Sequence, residues 1–216
     1  MSDLDRVELV VRTIAETAVD NEKYFGDLDA VVGDGDFGYS MARGFEQVLA
    51  KWDEFDRADA GTFLKRIALV ITGRIGGTSG PIWGTAFMRA GAVAGDNALT
   101  PDVVVAMLRA SVEGIKARGQ AELGDKTLLD ALVPYIDTLE RELGAGSGST
   151  ASLAQAAESA RTAAEATKDM VAKKGRAAYT GERSRGSVDA GAIAVAEMSE
   201  RVSAAWAAGQ GQEDGS

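Results

Sequence analysis

Apolar residues recur at three- and four-residue intervals along nearly the whole chain, the spacing that keeps one face of an α-helix buried. Leu4, Val7, Val11, Ile14 and Ala18 mark a first helix from Asp3 to about Lys23, and Met41, Phe45, Val48, Leu49 and Trp52 line a second from Ser40 to Phe55. A third runs from Thr62 to Thr72 and a short fourth from Ile82 to Val93, divided by the glycine-rich break Gly73–Gly80. Thr100-Pro101, a capping hydroxyl followed by a residue that needs no N–H in a first turn, opens a fifth helix to about Lys116. Thr127–Leu143, the alanine-rich Ser149–Val171 and Val188–Ala208 complete eight, and the polar Gly209–Ser216 reads as a disordered tail. Leu28–Val32 could instead be a strand feeding a glycine loop, but one strand among eight helical segments cannot build a sheet. There is no repeat of fixed period. The pattern predicts an all-α bundle forming one domain over residues 1–208.

Composition agrees and narrows the function. A chain of 216 residues, 45% hydrophobic, can bury a sizeable core. Cysteine is absent, so disulfides and thiol chemistry are excluded. The first fourteen residues carry Asp3, Asp5, Arg6, Glu8 and Arg12, which no signal-peptide core tolerates, and no apolar run approaches the roughly 20 residues that span a bilayer. A cytoplasmic location is the expectation. A net charge of −10 argues against nucleic acid or an anionic membrane as partner. Histidine is also absent, which removes it as base, metal ligand or phosphocarrier. Positive charge gathers at Lys173, Lys174, Arg176, Arg183 and Arg185, a pattern that suits a local anion site or a solvated face.

The chemistry sits in four loops. In residues 28–38 the spacing D-x4-D-x-D sets Asp29, Asp34 and Asp36 among Gly33, Gly35 and Gly38, with apolar Val31 and Val32 inside the run. Three carboxylates on a tight turn need a cation, and hard oxygen ligands suit Mg²⁺ with substrate phosphates. The acids do not alternate toward a closing glutamate, so this is no EF-hand. The loop Gly73–Pro81 allows close backbone approach, and the helix after it aims its N-terminal amides back at the loop, a geometry for anions as well as for a plain turn. Gly119–Thr127 nearly matches a P-loop, but Asp125 intrudes before Lys126 and no strand precedes it. Thr127 reads there as a helix cap, with Asp125 and Lys126 free for metal, phosphate or a salt bridge. The long loop Lys173–Gly191 mixes hydroxyls with arginines able to clamp phosphate oxygens. These loops follow the first, third, fifth and seventh helices, so antiparallel neighbours would bring them to one end of the bundle.

In order and spacing, the motifs LDAVVGDGDFG, GGTSGPIWGT, GDKTLLDALVP and KGRAAYTGERSRGSVDAGA resemble the nucleotide-binding L subunit, or L domain, of the dihydroxyacetone kinase family. The resemblance covers nearly the whole chain. It implies an eight-helix antiparallel barrel over residues 1–208 that holds ADP or ATP with two Mg²⁺ ions at one rim. Asp29, Asp34 and Asp36 fall on the family's metal-binding aspartates and are the expected catalytic groups. Phe37, Gly38, Tyr39, Ser40, Thr78, Ser79, Gly119, Leu128, Arg176, Asp189, Ala190 and Gly191 align with its nucleotide contacts. The ketose, dihydroxyacetone or a four-carbon ketose such as erythrulose, would be held covalently through a histidine of a separate K subunit, consistent with a histidine-free chain. Phosphate would come from ATP, or from a resident ADP recharged by a phosphotransferase-system phosphocarrier. Two departures stand out: Phe37 replaces a usual histidine, and Ser187-Val188-Asp189-Ala190-Gly191 replaces a His-Gln-Asp-Pro-Gly pattern. Losing such polar contacts favours exchangeable nucleotide, and hence ATP as donor. The competing readings are a non-catalytic nucleotide-sensing module and a helical scaffold whose acidic loop binds Ca²⁺.

Overall fold

The computed structural model describes residues 1–213, with side chains as far as Gln210, and among the described residues it is all helical, with no strand. Among the described residues nine α-helices follow one another: α1 (Asp3–Asp20), α2 (Glu22–Asp29), α3 (Phe37–Ala50), α4 (Ala60–Arg74), α5 (Ser79–Ala94), α6 (Pro101–Gly119), α7 (Leu129–Gly144), α8 (Ser149–Ala166) and α9 (Ala190–Glu213). Each of α3 to α8 packs against the next, and α9 returns to α1, which packs on α3. Eight helices thus close a ring, and α2 is an added short helix lying on α3.

Several boundaries differ from the periodicity reading: the second predicted helix ends at Ala50 rather than Phe55, the seventh at Ala166 rather than Val171, and three more shift for a local reason. The first helix stops at Asp20, with Asn21 as its C-cap: its backbone and side-chain amides both donate to the Thr17 carbonyl (3.2 and 2.9 Å). The chain then re-enters a helix over Glu22–Asp29, so Leu28 and Asp29 end a helix and the strand alternative is excluded. The second predicted helix begins at Phe37 rather than Ser40, which puts Phe37, Gly38 and Tyr39 in a helical first turn. The last helix runs on through Glu213, past Gly209 where the tail is expected: Gly209 lies against Met1 and against Leu9 of α1, and extending a nucleated helix costs little. Residues 214–216 lie outside the described residues. The Thr100 cap holds, its hydroxyl accepting from the Val103 amide.

The core fills the ring in two parts. Phe25, Phe45, Phe63, Ile67, Ile71 and Ile193 belong to the larger cluster, under α1 to α5 and α9. Ile115, Leu129, Ile136 and Leu139 belong to the smaller one, under α6 to α8. Ala156, Ala160 and Ala164 on α8 and Ala192, Ala194 and Ala196 on α9 are buried, so these two helices approach closely. Arg161 crosses that seam to Glu197 and Glu200, both at 2.6 Å.

The helices alternate in direction. At one end the Leu99 amide donates to Asp3 (2.8 Å) and Trp206 donates to Ser149 (3.2 Å), joining the start of α1 to the α5–α6 turn and the end of α9 to the start of α8. The loops that carry the chemistry lie at the other end. Counting α2, they follow α2, α4, α6 and α8, and the single-end arrangement expected from parity holds.

Candidate functional site

One oxygen from each of Asp29, Asp34 and Asp36 lies within 4.8 Å of the other two. The backbone makes this possible in two ways. After α2 the chain folds over itself, the Gly33 amide donating to the Asp29 carbonyl at 2.6 Å, and any side chain on Gly33 would strike the Asp29 carboxylate (2.2 Å). The second carboxylate oxygen of Asp29 accepts from the Phe37 amide at the head of α3 (3.4 Å), where the helix dipole favours negative charge.

Three carboxylates so close repel unless a cation joins them. In this structure that cation is Arg176, from the long loop after α8, whose guanidinium pairs with Asp34 and lies 3.7 Å from Asp36. The other loops close the rim. Gly76 faces the Ser40 hydroxyl, so the α4–α5 turn abuts the first turn of α3. Gly191 packs on Leu128, setting the head of α9 beside the entry to α7. Lys173 donates to the Gly124 carbonyl (3.0 Å) and the Asp125 carboxylate (3.1 Å).

The residues expected to contact nucleotide separate by environment. Thr78, at the N-cap of α5, is exposed, and Ser79 begins that helix. Arg176 is well exposed, and Gly119 ends α6 against Ile82. Gly38 is buried against α2, and Ala190 is buried in the first turn of α9. The Phe37 ring packs inward on Phe25, centroids 6.1 Å apart, and Tyr39 points outward with Arg43 over its ring. Lys126 binds neither metal ligands nor a carboxylate: it is 2% exposed and its ammonium is spent on backbone carbonyls of the α8–α9 loop. Thr127 is not the cap of α7, whose N-cap is Leu128; it lies one residue earlier, its hydroxyl accepting from the Leu129 amide (3.2 Å).

Sequence reasoning passed over Asp130. It is buried, and its carboxylate accepts from the amides of Gly124 (2.5 Å) and Thr127 (2.7 Å), which shapes the Gly-Asp-Lys-Thr turn. The available signal was an acidic residue in the first turn of a helix just after a tight loop.

Asp189 accepts from the Ala192 amide (2.7 Å) at the head of α9. Although the residue is only half-buried by surface area, its carboxyl is enclosed by protein, and desolvation pushes its pKa up to about 7. The Ala192 amide and Lys126 pull it down, while Asp130 and Asp29 push it further up. The ordinary value is 3.8, so between about pH 4 and pH 7 the folded chain holds a proton that the unfolded chain has lost. The stability supplied by that proton is complete below pH 4 and is lost as pH rises through 7. In metal-free protein, Asp189→Asn keeps an acceptor for Ala192 but cannot ionise, so it should flatten the fall in melting temperature between pH 5 and pH 8. Thermal melts of both proteins across that range check this, and parallel curves would remove Asp189 as the source.

Comparison with known proteins identifies the family. The family model described as the DAK2 domain matches residues 31–204. The chain is 38% identical over 184 residues to the ADP-binding subunit DhaL of the PEP-dependent dihydroxyacetone kinase of Escherichia coli, covering 85% of this chain and 88% of that one. It is 40% identical to L-erythrulose kinase of Pectobacterium atrosepticum, covering 85% of this chain but 32% of that longer protein. Among solved structures, the dihydroxyacetone kinase of C. freundii in complex with AMP-PNP and Mg²⁺ superposes with a TM-score of 0.70 at 25% identity, over 90% of this chain and 33% of that one. No helix among the described residues is long and apolar enough to cross a membrane. The chain belongs to the DAK2-domain family, the family of the nucleotide-binding L subunit of dihydroxyacetone kinases.

Proposed function

We propose that this chain binds an adenine nucleotide with Mg²⁺ at the rim formed by the four loops and passes a phosphate to a small ketose, dihydroxyacetone or a four-carbon ketose such as erythrulose, held by a separate K subunit. The observation that carries this reading is the convergence of Asp29, Asp34 and Asp36 within 4.8 Å, opposite an exposed arginine. The residues fit the ion: the acids already attract a guanidinium, and Gly33 leaves room for the Asp29 carboxylate to fold back over the turn. When bound, Mg²⁺ neutralises phosphate charge, and two ions are the expected number. The three aspartates hold the metal. Thr78 and Ser79, at the N-terminus of α5, offer amides and hydroxyls to phosphate oxygens, and Arg176, once released by the acids, pairs with phosphate. A chain with no histidine has no such group to trap the ketone, which is why the acceptor is placed on a partner.

ATP is the donor we favour, because the inward-packed Phe37 offers the nucleotide no hydrogen bond. The second reading is a resident ADP recharged by a phosphotransferase-system protein. It draws on the Escherichia coli and Lactococcus lactis relatives of similar length, named as ADP-binding subunits of PEP- and PTS-dependent kinases. Titration calorimetry of ADP with and without Mg²⁺ tests the site. Each ligand should tighten the other, and equal affinity in both conditions would refute the assignment. In the same preparation, ATP, Mg²⁺ and dihydroxyacetone should give no product until a K subunit is added. Exchange of labelled ATP during gel filtration then separates the donors, since ADP that resists displacement for hours points to the phosphotransferase route.

A further inference from the structure

The loop between α8 and α9 carries both Arg176 and Asp189, and a buried cation closes it at the base. Lys126 adopts a left-handed backbone (φ +62°) that turns its side chain beneath that loop, where it is 2% exposed. Its ammonium donates to the carbonyls of Met170 (3.2 Å), Ser187 (2.7 Å) and Ser184. An ammonium has three N–H donors, and all three have acceptors here. Met170 precedes the loop's 3₁₀ segment, Arg176–Ser184, while Ser184 and Ser187 close and follow it, so one side chain holds both ends. The same base is laced by shorter bonds. The Ala172 amide donates to the Ser184 hydroxyl (2.9 Å), which donates to the Gly181 carbonyl (2.6 Å), and the Gly186 amide donates to the Lys168 carbonyl (2.7 Å). Above this base the loop projects to Arg176, on the aspartates, and to Tyr179, which is almost fully exposed.

Burying a charge whose partners are carbonyls is costly unless the geometry is satisfied, and removing the charge would leave three carbonyls short of a donor at once. Arginine cannot replace it, because a planar fork cannot direct donors to three converging oxygens. We infer that Lys126 is a positioning residue: by clasping both ends of the Met170–Ser187 segment it sets Arg176 before the aspartate cluster, without itself touching the nucleotide. Its effect on binding rests on the function proposed above, whereas the clasp does not.

The test uses the full chain and Lys126→Met. In nucleotide- and metal-free protein, trypsin cleavage after Lys173, Lys174, Arg176, Arg183 and Arg185 should quicken by about tenfold, with the far-ultraviolet circular dichroism unchanged. Affinity for ADP with Mg²⁺ should fall about tenfold, yet less than about twofold when the same substitution is made in Arg176→Ala, because the lysine acts through that arginine. Should Lys126→Met fail to fold, Ser184→Ala, which removes two bonds from the same base, is held to the same criteria with smaller changes in the same direction. Unchanged proteolysis, or additive losses in the double variant, would overturn the inference. Wild-type protein that binds no ADP would refute the proposed function, and the proteolysis would still decide the clasp.

Discussion

Asp34→Ala should weaken Mg²⁺-dependent ADP binding roughly 100-fold, about 3 kcal/mol, by removing a charged group from the centre of the site. Asp34 is the acid that Arg176 pairs with, and its oxygen lies with those of Asp29 and Asp36 in one cluster. The folded state should hardly notice. Asp34 is exposed, its arginine partner is exposed too, and the two remaining carboxylates repel each other less than three do. A large loss of affinity with a melting temperature within about 1 °C of wild type is therefore the signature of a binding site rather than a structural salt bridge. Calorimetry of ADP with Mg²⁺ beside a thermal melt checks both halves. Unchanged ADP affinity in the variant would remove the aspartates from the site.

Gly38→Ala should have the opposite profile. A Cβ there would stand 2.0 Å from the Glu22 carbonyl oxygen and 2.5 Å from the Gly26 nitrogen, both backbone atoms of α2 that cannot rotate away. The two helices must part, at a cost of about 3 kcal/mol, or roughly 6–12 °C in melting temperature for a domain of this size. Nucleotide binding should fall with stability, since this crossing sets Asp29, the last residue of α2, beside Asp36 at the head of α3. Gly73→Ala is the control. That glycine is exposed within α4 with nothing within 4 Å of an added Cβ, so the change should stabilise by about 0.5–1 kcal/mol. Melts of the two variants decide it, and a Gly38→Ala protein as stable as wild type would mean the α2–α3 crossing is looser than its backbone contacts indicate.

The glycines of the acidic loop show how far local reading reaches. The sequence marks three glycines as aids to a sharp turn, and each serves a different need in three dimensions. Gly33 makes room for the Asp29 carboxylate, Gly35 takes a positive φ of 75°, and Gly38 lets two helices touch. Helix α2 escaped notice because Phe25 is its one fully buried residue and no side chain caps its start, so neither periodicity nor a capping signal announced it. Lys126 misled in a different way. Its spacing beside Gly124 and Thr127 suggests phosphate, but its partners lie 44 to 61 residues further along the chain.

The chain by itself determined the helices and the inventory of chemistry. Apolar spacing is a property of one helix face, and a run of acids, glycines or arginines is visible wherever it stands. It also determined that the loops share one end, because alternation of antiparallel helices follows from their order. Only the tertiary structure decided which charges meet. Arg176 reaches Asp34 and Asp36 rather than a solvated surface, and Lys126 is taken by carbonyls rather than left for an anion. Closure of the ring is also tertiary: α9 packs on α1 and α2, and with that packing the loop after α8 meets the loop after α2. Most buried polar groups need partners, and those of Lys126 come from segments brought together only when the helices pack.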